Sequence, residues 1–193
     1  MIGADLLRYQ KNQKFLCLDF ETTGLNLGYA LPWQVSYAVF TMDKTLEEHN
    51  FYIWWDNLKM SEGAARVTGF NSTFYKESAM EPEVVLKSFE AYLYDETLMP
   101  VGHNLYGYDS MIHSVWRRKL GFKADYSYLK RSFDTVALSK AFKKDIKPDR
   151  TNPTQWMYRT LGIVETGLKT NLAAMGRELE IEFDAAGLHD AQQ

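Results

Sequence analysis

Cysteine is nearly absent. Cys17 stands alone among 193 residues, so an internal disulfide framework is excluded and the fold must rest on its core. Long apolar runs are missing too: no stretch approaches the roughly 18 residues needed to span a bilayer. The opening MIGADLLRYQKNQK lacks the apolar centre of a secretory signal. We therefore expect a soluble, cytoplasmic protein with no membrane partner. No repeat, low-complexity tract or Pro/Gly-rich linker divides the chain, so a single domain over residues 1–193 is the expectation. Nor is there a strong excess of one charge, and a net charge of −3 argues against coating duplex nucleic acid with the whole surface.

What is present is an ordinary globular composition, 46% apolar and 24% charged. The charge is unevenly spread. From Arg117 to Arg150 eleven Lys/Arg face four Asp/Glu, against eleven and twenty-one elsewhere; a solvated helical face and a phosphate-tracking patch both fit.

The pattern predicts a strand over Phe15–Phe20 buried on both faces, then strands over Trp33–Thr41 and His49–Trp55 in an antiparallel meander. Helical spacing follows over Glu81–Tyr94, with Pro82 in its first turn and Val85, Phe89 and Leu93 on one face. A short strand is expected at Leu98–Val101 and a helix from about Tyr106 to Leu120. Asp134 reads as a helix N-cap, and Asn152–Leu161 and Thr170–Leu179 as further helices. Together these define an α/β domain with a mixed sheet. Trp33, Tyr37, Trp54, Trp55, Trp116 and Trp156 read as core or sheet surface, and His103 as a hydrogen-bonded structural histidine.

One stretch resists a purely structural reading. In LCLDFETTG, Leu16–Gly24, Asp19 and Glu21 lie two residues apart and so share one face of a strand, roughly 7 Å from each other. Two ionised carboxylates so placed repel unless a cation lies between them, and hard divalent ions such as Mg²⁺ and Mn²⁺ prefer such ligands. A third acid adds weight. At helical spacing, positions 105, 109, 112, 116 and 120 are Leu, Asp, Ile, Trp and Leu, which sets Asp109 in an otherwise apolar seam with no Lys or Arg one turn away. A hydrogen-bonded core Asp helped by the helix dipole would explain Asp109 alone, but not the Asp19 and Glu21 pair.

These residues carry a resemblance. LDFETTG (Leu18–Gly24) resembles the first motif of the DEDD 3′→5′ exonucleases, the group that includes the proofreading subunit of bacterial replicative polymerase, oligoribonuclease and exonuclease I. GHNLYGYD (Gly102–Asp109) resembles the second motif, and GLHDAQQ (Gly187–Gln193) the start of the third in the histidine-bearing branch. FDTVALSK (Phe133–Lys140) and GAARVTGFN (Gly63–Asn71) add further landmarks, so the ordered set runs almost from end to end. The tyrosine branch needs a Tyr four residues before an Asp, and no such pair occurs near this end.

The resemblance implies a ribonuclease H-like mixed sheet, an antiparallel meander plus parallel strands, flanked by helices. It implies Asp19, Glu21 and Asp109 as ligands to two Mg²⁺ or Mn²⁺, and His189 as general base. Thr22, Thr23, Gly24 and Leu25, with Asn104 opposite, are the matching positions for the 3′-terminal nucleotide. The family's fourth metal-binding Asp would fall at position 194, one past Gln193, so the stretch is expected to stop just short of the motif's end; Asp190 is poorly placed to substitute. The activity expected is metal-dependent removal of nucleoside 5′-monophosphates from the 3′ end of single-stranded nucleic acid, DNA before RNA. Proofreading with a DNA polymerase or replication assembly is one setting. A nucleic-acid or protein-binding module that keeps the fold but lacks the chemistry is the alternative, and a related two-metal endonuclease another.

Overall fold

The computed structural model describes residues 12–182. Three strands come first, β1 (Lys14–Thr22), β2 (Pro32–Phe40) and β3 (Thr45–Tyr52), joined as an antiparallel meander. β4 (Leu98–Gly102) then pairs parallel to β1, and a two-residue β5 (Phe133–Asp134) pairs parallel to β4. The sheet order is β3-β2-β1-β4-β5, so β1 is central and is flanked by an antiparallel neighbour on one side and a parallel one on the other. The mixed α/β, ribonuclease H-like sheet expected from the sequence is therefore the observed one.

Side-chain alternation along β1 explains the packing. Leu16, Leu18 and Phe20 project into the core and meet Val35, Tyr37 and Val39 of β2. They are covered by α3 (Pro82–Leu93), through Val85, Leu86, Phe89 and Leu93, and by α4 (Asp109–Lys119), through Ile112 and Trp116. The Phe20 ring stands edge-on to Phe89 and Trp116, with centroids 5.5 and 6.1 Å away. Each such large apolar side chain contributes about 1.5–3 kcal/mol by leaving water. The opposite face of β1 departs from the expectation of burial on both sides. Phe15 and Glu21 are buried there, but Cys17 and Asp19 keep open surface.

Two other boundaries differ. The third strand ends at Tyr52, after which Ile53 makes a single parallel bridge to Met80. The helix expected from Tyr106 begins only at Asp109, because Asn104 sits in the left-handed region at φ 71° and the segment after it is held in turns. α5 (Thr135–Lys143), α6 (Pro153–Leu161) and α7 (Leu172–Glu178) follow the pattern, capped by Asp134, Asn152 and Asn171. α1 (Glu62–Thr68) and α2 (Ser72–Ser78) are short surface helices. Trp33, Tyr37, Trp116 and Trp156 are all buried, as expected. Among the described residues no helix is long and apolar enough to cross a membrane.

Candidate active site

β1 outruns its parallel neighbour. Its last pairing with β4 is Cys17 to Val101, whereas its pairing with β2 continues through Asp19 to Ser36 and Glu21 to Gln34. The end of β1 therefore has no strand beside it on the β4 side, and the turn after β4 with the start of α4 fills that place. The carboxyl end of a strand at such a change of direction is where open α/β sheets accept ligands. A register shift between Glu21 and Thr22 bends the strand there. The Thr22 hydroxyl lies 2.6 Å from the Tyr108 hydroxyl, and both come within donating distance of the Gly24 carbonyl, at 2.9 and 3.1 Å.

The turn that aims Asp109 is held from a distance. The fully buried Asp134 carboxylate accepts from the backbone N–H groups of Val136 and Ala137, as an N-cap does, and also from those of Tyr106 at 2.9 Å and Asn104 at 3.3 Å. His103 Nδ1 lies 2.8 Å from Thr135 Oγ1, which fixes the same turn to α5 and gives this histidine its structural role. A Cβ at Gly107 would lie 2.3 Å from Asn104 Oδ1, so a larger residue there would displace the Asn104 side chain. Asp109 follows as the first residue of α4, only 2% exposed, and its Oδ1 is buried with no hydrogen-bond partner.

The electrostatics show which carboxylates converge. Burial pushes the Asp109 carboxyl well above its ordinary value, and the charge of Asp19 pushes it further, against the pull of its own N–H and that of Phe20. Burial raises Asp19 as well, opposed by the same Phe20 N–H. Asp19 keeps open surface, next to Cys17 on the same strand face. Cys17 beneath it is pushed up to about 11, first by burial and then by the charges of Asp19 and Asp109. The Tyr108 phenol is raised by burial and then by Asp109, Glu21 and Asp19, so it stands in the field of all three acids.

The site thus brings Asp19 and Asp109 together, with Glu21 one position along the same strand face. As the side chains stand, no three His, Cys, Asp or Glu side chains among the described residues close around a single point. The residues nonetheless fit a hard divalent cation. Asp109 Oδ1 is an orphaned buried acceptor, its strongest charged neighbour is another carboxylate, and the donors are all oxygens.

Of the positions matched to the 3′-terminal nucleotide, Thr22 and Gly24 belong to the hydroxyl cluster. Thr23 braces the loop, donating its N–H to the Leu31 carbonyl at 3.0 Å and accepting from the Leu31 N–H at 3.0 Å. Leu25 is 87% exposed and Asn104 is exposed at the turn. His189 and Asp190 lie outside the described residues.

The basic run is largely spent on structure. Arg131 donates to the carbonyls of Leu98 and Leu93, Lys140 to those of Leu161 and Ile163, and Arg117 to Glu90 and the Lys123 carbonyl. Lys143, Lys144 and Lys147 pair with Glu178, Glu165 and Asp145. Two contributors escaped the sequence reading. Tyr108 was legible only as an aromatic neighbour of Asp109, and Asp134 only as a cap.

This arrangement, a mixed sheet with acids at the end of its central strand and at the start of the helix after β4, is that of a ribonuclease H-like fold. Among solved structures it is similar to exonuclease I. An E. coli exonuclease I in complex with a dT13 oligonucleotide superimposes with a TM-score of 0.69 at 15% identity, over 93% of this chain and 38% of that one. A product-bound exonuclease I gives 0.70 at 14%, over 93% and 40%. A zinc-bound form of the E. coli exonuclease I complex with single-stranded DNA gives 0.61 at 15%, over 84% and 38%. The chain therefore spans about two fifths of the length of these proteins, and at such identity the likeness is one of fold. No protein-family model matches the chain, and no curated protein matches it in sequence.

Proposed function

We propose that the protein is a metal-dependent 3′→5′ exonuclease acting on single-stranded nucleic acid, DNA in preference to RNA, and releasing nucleoside 5′-monophosphates. The observation that carries this reading is the confrontation of Asp19 with Asp109, whose buried Oδ1 has no partner. The fold likeness to exonuclease I, solved with single-stranded DNA and with zinc, supports the same assignment. In this reading Asp19, Glu21 and Asp109 hold two Mg²⁺ or Mn²⁺, and bound ions supply stabilisation of charge on the attacking and leaving oxygens. His189 takes the proton of the attacking water, an imidazole being suited to that near neutral pH. The bond from phosphorus to the 3′ oxygen then breaks and that oxygen gains a proton from solvent. Residues 22–25 and Asn104 orient the terminal nucleotide, and the Thr22–Tyr108 contact keeps the two sides of the site in register. A replication assembly is the proposed setting.

The test is a 5′-labelled single strand, as DNA and as matched RNA, incubated with the full-length protein and Mg²⁺ or with chelator. The expected result is a ladder shortening from the 3′ end, faster on DNA and abolished by chelator and by Asp109→Asn. Internal cuts would assign an endonuclease, and binding without cleavage a non-catalytic module.

A further inference from the structure

The two carboxylates of β1 have polar neighbours inside the sheet. On β2, Ser36 stands directly opposite Asp19 and Gln34 directly opposite Glu21; on β3, Asn50 stands opposite Ser36 and Tyr52 opposite Gln34. Directly opposed residues of antiparallel strands share a face, with Cβ atoms about 4.5–5.5 Å apart. Two rows therefore cross three strands on the carboxylate face, Asp19–Ser36–Asn50 and Glu21–Gln34–Tyr52.

The middle of each row is buried. Ser36 is 5% exposed and Gln34 3%, a costly place for a hydroxyl and an amide unless each has a partner. They share one. Ser36 Oγ donates to Asn50 Oδ1 at 2.9 Å, and Gln34 Nε2 donates to the same oxygen at 3.0 Å. Asn50 Nδ2 in turn lies 3.5 Å from the Tyr52 hydroxyl. One oxygen on β3 thus fixes both of the β2 side chains that stand beside the acids. The consequence is directional: Ser36 has its only proton turned toward Asn50, and Gln34 cannot swing its amide nitrogen off β3 without breaking a bond.

Stability alone does not call for such a network. Replacing both members of a buried hydrogen bond by apolar groups of similar shape can be nearly neutral or stabilising, and the other face of β2 is built that way, from Val35, Tyr37 and Val39. The polar side chains stand at the two positions that face Asp19 and Glu21. We infer that Asn50, acting through Ser36 and Gln34, is a positioning residue for these two carboxylates, fixing the wall against which they settle when they hold divalent ions. The inference rests on the nuclease reading, because that reading supplies the ions. Groups that orient metal ligands without touching the metal commonly carry roughly 10–100-fold in affinity or activity.

The test is a Mn²⁺ titration of the full-length protein without nucleic acid, free Mn²⁺ being read by electron paramagnetic resonance. The melting temperature in chelator, measured beside it, sets a working temperature at which every variant is folded. Asn50→Ala should weaken Mn²⁺ binding about tenfold. Asn50→Asp keeps an acceptor for both donors and should bind Mn²⁺ at or above the wild-type level. Ser36→Ala deletes one donor from a small side chain and keeps the inference testable should Asn50→Ala fail to fold; it should weaken Mn²⁺ binding severalfold, with Ser36→Thr restoring it. Wild-type protein that binds Mn²⁺, with Asn50→Ala or Ser36→Ala matching its affinity, would overturn the positioning role alone. Wild-type protein that binds no Mn²⁺ would overturn the metal-dependent nuclease reading and the positioning role with it.

Discussion

The hydroxyls of Thr22 and Tyr108 lie 2.6 Å apart across 86 residues of sequence. One closes β1 and the other precedes the first residue of α4, so this contact ties the strand bearing Asp19 and Glu21 to the helix bearing Asp109. Both hydroxyls also reach the Gly24 carbonyl. Tyr108→Phe deletes one of these groups without changing the packing of the ring. The expected loss is about 1 kcal/mol, a typical net hydrogen bond. In a chain of this size it lowers the melting temperature by roughly 2–4 °C. Thermal melts of the variant beside Thr22→Val check it: if the strand and the helix of the site are coupled through this contact, the double variant should lose less than the sum of the singles.

Asp109 has an unsatisfied oxygen and a like-charged neighbour, so its ionised form strains the metal-free protein. Asp109→Asn removes that charge at nearly constant volume. The metal-free variant should melt at or above the wild-type temperature. Adding Mn²⁺ should separate them in the opposite sense, because wild type gains about 2.7 kcal/mol at one hundred times the dissociation constant and the variant gains little. Differential scanning calorimetry with and without Mn²⁺ reads both effects. An equal Mn²⁺ shift in the two proteins would remove Asp109 from the ligand set.

Much of this arrangement was readable from residue order. The alternation in β1, the amphipathic face of α3 and the caps at Asp134, Asn152 and Asn171 each rest on local rules, and they hold. Residue order showed Asp109 and the Asp19–Glu21 pair to be costly charges where they stand, while their meeting at one site was an expectation from the motif resemblance. What escaped depends on partners distant in sequence. α1 buries no residue and α2 only Tyr75, so neither carries an apolar stripe to betray it. β5 is two residues long and exists only because β4 lies beside it. The late start of α4 follows from Asp134, thirty residues away, capturing the N–H groups of Asn104 and Tyr106. The basic run from Arg117 to Arg150 looked like a surface, but Arg131 and Lys140 spend their charge on backbone carbonyls.

Asp134 offers a way to disturb Asp109 without touching it. Its Oδ1 serves the cap of α5 and Asn104, while Oδ2 receives the Tyr106 N–H. Asp134→Asn keeps one acceptor for the cap but leaves the buried Tyr106 donor facing an amide, at a cost of about 1–3 kcal/mol. Asp134→Ala loses the cap too, about 1 kcal/mol more. Urea titrations should therefore rank wild type above Asn and Asn above Ala. The Mn²⁺-induced stabilisation should shrink in both variants, since the turn that aims Asp109 is loosened.

Away from the site, α3 and α4 are joined by a buried cluster whose pH dependence has a definite sign. His113, 1% exposed, places Nε2 2.8 Å from Glu90 Oε1, and Arg117 pairs with the same oxygen. Tyr128, Tyr94 and Asp125 complete the surroundings. Burial holds His113 below its ordinary value of 6.5, only partly offset by Glu90. Glu90 lies below its ordinary 4.5, because the hydrogen bonds from His113 and Arg117 outweigh its own burial. Both groups bind protons more readily in the unfolded chain, so the stability each provides is complete above its unfolded value and is lost as pH falls toward the folded one. Acid should thus act in two windows, below about 6.5 through His113 and below about 4.5 through Glu90. Glu90→Gln should remove the lower window and keep the upper one, because burial alone still keeps the imidazole neutral. Urea unfolding from pH 8 to pH 4 tests this, and an upper window that vanishes with Glu90 would mean that the carboxylate, not burial, governs His113.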